Sequence, residues 1–267
     1  MRAKSLTPAL ACVAVVSATP AQAQAVVEPP PPSSQYTHTV GISSGVTLAD
    51  RFDATASPRP FTGIGASGSL RYRFEPGAWS FTAEVNGSHA SYDPRDDLNS
   101  GSEQAFSGGV ALSVDKHAAT FGKTSLRLGL DLDSRGEVLE HRYADVAATL
   151  SSFITAFATL GPTATVSRPL GHGQVSATAV VPVVGLAHQP YANLRQEREP
   201  VTVRAVGPSD LHGGSLAVRY ETAANARMGV IAEYRLRTFD YSGGWRTSSL
   251  TNSTAIGIVT RFGAKSR

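Results

Sequence analysis

The sequence is poor in cysteine, in charge and in long apolar runs. One cysteine, Cys12, stands in 267 residues, so no disulfide framework holds the fold. Charged residues are only 17% of the chain and glycines number 25. Helical bundles and coiled coils are instead rich in Glu, Lys and Leu. Beyond the first twenty residues no run approaches the roughly 18 apolar residues that a transmembrane helix needs. The net charge of +3 is too balanced for a nucleic-acid binder, which carries a basic stripe. Seven histidines are dispersed, and neither an HExxH run nor a cysteine pair is present, so no metal site is expected. Gly63-x-Gly65 and Gly171-x-Gly173 precede no helical pattern and read as turn and packing glycines. No cofactor is expected.

The amino terminus reads as an address. Arg2 and Lys4 precede the short apolar stretch Leu6–Ala18, and Ala21-Gln22-Ala23 forms a small-residue cleavage site. These elements, in this order, define a secretory signal peptide over residues 1–23. Residues 24–35 contain four consecutive prolines, which favour extended polyproline II and suit a periplasmic spacer.

From Tyr36 the dominant signal has period two. Leu126, Leu128, Leu130 and Leu132 alternate with Arg127, Gly129, Asp131 and Asp133. A helix would scatter those leucines around its circumference, whereas a strand puts them on one face. The alternation recurs in Tyr36–Leu48, Phe61–Phe74, Trp79–Tyr92, Gln104–Asp115, Thr124–Asp133, Ile154–Ser167, Gln174–Val184, Leu211–Glu221, Arg227–Asp240 and Leu250–Phe262. Strands that cross a bilayer at a tilt need about 9 to 11 residues, longer than the usual 5 or 6. The connections alternate too. Residues 75–78, 116–123, 169–173 and 222–226 are short, while 49–60, 93–103, 134–153, 185–210 and 241–249 are mostly longer and polar. Short periplasmic turns and longer outside loops are the pattern of outer-membrane barrels. The sequence therefore predicts an all-β fold: one antiparallel transmembrane barrel of about ten strands over residues 36–262, closed by its first and last strands, with a tail over 263–267.

The final strand, Ala255-Ile256-Gly257-Ile258-Val259-Thr260-Arg261-Phe262, resembles the carboxy-terminal targeting strand of bacterial outer-membrane proteins. The resemblance implies that Gly257 and Phe262 are read by the barrel-insertion machinery, after periplasmic chaperones have escorted the chain. Outer-membrane lipid and lipopolysaccharide are the expected surroundings of a chain exported in a Gram-negative type of bacterium.

The inward-facing charges carry the functional information. Arg71, Arg73, Arg127, Arg219, Arg235 and Arg237 stand against Glu75, Glu84, Asp131, Asp133, Glu221 and Glu233. A ten-stranded barrel is little wider than the eight-stranded case whose interior side chains just fill. Balanced charges in so narrow a lumen are expected to pair between neighbouring strands and plug it.

Two fragments resemble known barrel chemistry. Asp210-Leu211-His212 with Asp93, Asp96 and Asp97 is similar to the loop acids and Asp–His dyad of omptins, the ten-stranded outer-membrane proteases. That resemblance implies water activation by a carboxylate-oriented imidazole. Ser88-His89-Ala90-Ser91 resembles the H-x-S element of lipid A deacylases, in which His serves as base for Ser on a lipid-facing surface; His89 and Ser91, two apart, share one strand face as that requires. Solvated loop residues and a hydroxyl-rich strand end explain both fragments without chemistry and carry the greater weight. The expected function is a non-enzymatic surface or structural protein, adhesin-like or maintaining the envelope, with its ligand unidentified. The alternatives are a narrow small-solute channel and a hydrolase of either resembled type.

Overall fold

The computed structural model describes residues 37–53, 57–94, 101–143, 150–188, 203–223, 227–242 and 246–263. The signal peptide and spacer read from residues 1–35 lie outside these, as does most of the carboxy-terminal tail.

Twelve strands make one sheet: β1 Thr37–Asp53, β2 Ser57–Glu75, β3 Trp79–Pro94, β4 Gly101–Phe121, β5 Thr124–Tyr143, β6 Leu150–Leu170, β7 Gly173–Val180, β8 Val184–His188, β9 Val203–Val206, β10 Leu211–Ala223, β11 Met228–Tyr241 and β12 Thr247–Gly263. Each stave pairs antiparallel with the next, and β1 with β12 and β5 with β6 complete the ring. β8 prolongs β7 and β9 prolongs β10, so the twelve strands form a closed barrel of ten staves.

The break between β7 and β8 has a local cause. Thr163 pairs with Val180 but Leu160 pairs with Val184, so one extra residue is accommodated as a bulge. Val181 and Val183 still donate backbone hydrogen bonds to Pro162 and Leu160. By alternation, Pro182, which lacks an N–H, faces the other side, where the neighbouring stave leaves the sheet for the 207–210 turn.

The staves are longer than the alternation predicts. β1 and β2 run through most of residues 49–60, which the sequence reads as an outside loop, and β5 continues to Tyr143. Likewise β4 runs to Phe121, leaving only Gly122 and Lys123 as a turn where 116–123 reads as one. The short turns are tight because Gly77, Gly122 and Gly171 take the left-handed backbone, with φ of 61°, 60° and 57°. At about 3.3 Å per residue and a tilt of about 40°, Tyr92 stands roughly 33 Å above Trp79, beyond an apolar band of about 25 Å. The extra length therefore projects past the bilayer at the long-loop end.

The two faces differ as the period requires. Ile42, Ile64, Leu70, Val85, Leu130 and Ile256 point outward and are each more than half exposed. Their inward neighbours are mostly Ser, Thr, Gly and charged residues. So apolar an exterior around so polar an interior suits lipid outside and water within. At the short-turn end Phe262, His38, Phe74 and Phe81 stack in sequence across β12, β1, β2 and β3, with centroids 5.3, 4.8 and 6.2 Å apart. Tyr72 hydrogen-bonds His38 at 2.7 Å, and Lys116 lies over the Trp79 ring. This is the place of an interfacial aromatic girdle.

Closure depends on close backbone approach at the seam. A Cβ on Gly257 would lie 2.1 Å from the Ile42 carbonyl oxygen and 2.7 Å from the Ser43 Cα. Gly257→Val is therefore expected to prevent closure. Gel migration of unheated against boiled protein checks this: the variant should lose the mobility difference that the folded barrel shows.

Candidate functional site

The lumen is built from odd-numbered positions on most staves, and its chemistry changes along the axis. Toward the long-loop end small hydroxyl and glycine residues line a cavity of about 300 Å³. Several hydroxyls pair across neighbouring staves: Ser43 with Ser69 at 2.9 Å, Ser88 with Ser107 at 2.7 Å, Thr165 with Thr178 at 3.0 Å. A second cavity of about 310 Å³ lies toward the short-turn end. Arg71 and Arg219 are on the walls of both.

Charged side chains occupy the level between and below. Arg235 on β11 meets Glu84 on β3 at 2.7 Å and Glu233 on its own strand at 2.7 Å. Arg237, also on β11, reaches Asp133 on β5 at 3.5 Å, and Asp133 is held in turn by Arg135. β11 lies four staves from β3 in one direction and four from β5 in the other. Both contacts therefore cross the lumen instead of linking neighbouring strands, as the sequence reading expects. Glu233 continues to Arg219 at 3.5 Å, Arg219 to Glu221 at 3.4 Å, and Glu221 to Arg261. Nearer the short turns Glu75 is shared by Arg73 at 2.5 Å and Arg127 at 3.1 Å. Asp131 lines the upper cavity without an arginine within ion-pair distance among the described residues. Every cation in these pairs is arginine, whose planar fork can serve two carboxylates at once.

The structure adds lumenal charges that the sequence reading places in loops or at strand ends. Arg51 on β1 bridges to Glu137 on β5 at 2.5 Å and to Glu103 on β4 at 3.5 Å. Arg135, Asp115 and Arg261 also face inward. The signal was present, because Arg135 and Glu137 continue the register of Asp131 and Asp133. Around Arg51, near the long-loop end, Phe61, Ala90, Tyr92, Ala105 and Leu139 form a buried apolar cluster. Burial, with Glu137 and Glu103 adding and Arg51 opposing, pushes the Tyr92 hydroxyl up to about 12. On the opposite wall Ala187, Val206, Leu211 and Tyr241 form a second cluster, and Phe157 meets Phe239 edge-on at 4.6 Å.

Among the described residues, the acids and histidine read as an omptin-like dyad do not assemble. Asp93 faces outward on β3 and His212 faces outward on β10, five staves away on the opposite side. Asp210 sits in the 207–210 turn, where its backbone N–H bonds Gly207. Asp96 and Asp97 lie outside the described residues. His89 and Ser91 both face outward, and the His89 ring packs on Phe106 at 4.5 Å. Among the described residues no three His, Asp or Glu side chains converge as a metal site.

No family model matches the chain, and no curated protein matches it. Solved structures do resemble it. The outer membrane protease OmpT from Escherichia coli is 12% identical, with a TM-score of 0.49 over 86% of this chain and 98% of that one. The translocator domain of the autotransporter NalP from Neisseria meningitidis is 8% identical, with a TM-score of 0.48 over 87% and 90%. Ail, the attachment invasion locus protein of Yersinia pestis, is 10% identical, with a TM-score of 0.31 over 84% and 98%. Closed ring, apolar exterior and polar lumen together decide the class. The chain has the fold of an outer-membrane β-barrel.

The crossbars make a stability prediction. Arg235 holds Glu84 and Glu233, whose side chains are 8% and 9% exposed. Arg235→Met leaves Glu84 without its ion pair and Glu233 with only the longer contact to Arg219, and should cost about 3 kcal/mol. Adding Glu84→Gln should recover part of that loss. Urea unfolding of the barrel in lipid vesicles, followed by tryptophan fluorescence, reads both variants.

Proposed function

We propose that the protein is a non-enzymatic outer-membrane surface or structural barrel whose lumen is sealed. The amino-terminal signal peptide directs its export, and the insertion machinery reads the β12 strand around Gly257 and Phe262. In the membrane its apolar exterior meets lipid and lipopolysaccharide. The observation that carries this reading is the pair of crossbars from Arg235 and Arg237, which span the bore from adjacent inward positions of one strand to β3 and β5 on the far wall. A solute passing the lumen must part the Arg235–Glu84 and Arg237–Asp133 contacts. Nor do Asp93 and His212, five staves apart around the ring, share a cleft for catalysis.

A second reading, a gated channel for small solutes, draws on one observation. The two cavities share Arg71, Thr82, Ser176, Thr178 and Arg219 as wall residues. Planar-bilayer recordings separate the two. The unmutated protein is expected to show no steady conductance, and Arg235→Ala with Arg237→Ala is expected to open one. Steady conductance from the unmutated barrel would put the channel first.

A further inference from the structure

The cavity at the short-turn end has more cation than its own carboxylates can occupy. Its walls carry Arg71, Arg73, Arg127, Arg219 and Arg261 against Glu75, Asp115 and Glu221. Two carboxylates do the work of four ion pairs: Glu75 serves Arg73 and Arg127, and Glu221 serves Arg219 and Arg261. Arg71 has no ion pair among the described residues. The Nη1 of Arg127 is buried without a hydrogen-bond partner. Asp115 has an unpartnered carboxylate oxygen on the same wall, and it stands within ion-pair distance of no arginine among the described residues. With all three carboxylates ionised, the wall itself carries two more positive than negative charges; from just above it Glu233 also answers Arg219, and Glu84 is the cross-strand neighbour of Arg71.

A half-buried guanidinium with no carboxylate in ion-pair distance is under-neutralised, and an anion answers it better than water does. The cavity reaches the β6–β7 turn, with exposed His172 on its wall, so small solutes have access from that end. We propose that this cavity binds a small oxyanion of two or more negative charges, of the phosphate type, between Arg71 and the free edge of Arg127. The planar forks of arginine match the tetrahedral or carboxylate oxygens of such an ion. The carboxylate of Asp115 favours an anion small enough to stand clear of it. The site opens toward the short turns, with Arg71 level with Glu84 of the crossbar, and access from that end does not depend on whether the crossbars seal the lumen.

The test is titration calorimetry on the detergent-folded barrel with inorganic phosphate, with chloride and ionic strength held fixed. Saturable one-to-one binding is expected. Arg71→Gln should weaken it by about tenfold or more, because charge-assisted bonds to the ion are lost while every observed ion pair remains. Arg246→Gln, on an exposed pair with Asp240 near the β11–β12 connection, should bind as the unmutated protein does. Heat-modifiable migration first establishes that each variant is folded. Should Arg71→Gln not fold, Arg71→Lys replaces it, and weakened binding is again expected because the planar fork is gone. Glycerol 3-phosphate serves as a second probe. Equal affinity identifies a phosphate group carried on a larger molecule as the ligand, and binding of inorganic phosphate alone identifies the free ion. Absence of saturable heat with either probe, or unchanged affinity in the folded Arg71 variant, overturns the proposal.

Discussion

In hydrocarbon a backbone N–H or C=O has no water to turn to, and an open sheet edge is therefore not permitted. The ladder between Thr37–Asp53 and Gly263–Thr247 meets that constraint, pairing every residue of β1 with one of β12 without a register shift. Side-chain choices at the seam follow from it. Gly257 lets the two backbones approach, and the stacked rings of Phe262, His38 and Phe74 cover the joint on the lipid side. The rest of the barrel inherits its closed circumference from this one ladder.

Closure sets the problem inside. Small residues leave room in the upper lumen, and the space is not filled by packed apolar chains as in a soluble core. Charges that would be intolerable facing lipid are turned inward, and there they must find one another across the bore. Arginine suits this better than lysine because one side chain can hold two carboxylates, as Arg235 holds Glu84 and Glu233. The bulge at Val183 and Val184 shows the opposite accommodation, in which an added residue and a proline are absorbed where a neighbouring stave departs.

Much of this architecture was legible in the residues because period two is a local property. Leu128 and Leu130 against Arg127 and Asp131 declare their faces without reference to the rest of the chain. Strand ends were less legible. The alternation loses its apolar half where a stave leaves the bilayer, so Arg135 and Glu137 read as loop although the strand continues through them. Partners across the lumen were not legible at all. Whether Arg235 faces Glu84 or a neighbouring strand depends on the stagger of ten staves, which no stretch of sequence records. The distance between Asp93 and His212 has the same origin, since both lie near outside loops and only the ring order puts them on opposite sides.

A closed sheet of ten staves is a hoop, and a hoop is stiff along its wall but soft against flattening into an ellipse. The contacts from β11 to β3 and to β5 act as two chords drawn from one point on that hoop. Together with the tie from β1 to β5 higher up, they triangulate the cross-section at two heights. The rim that carries the outside loops thus stands on a frame of fixed outline, and lateral pressure from the surrounding membrane has little purchase on how those loops are spaced.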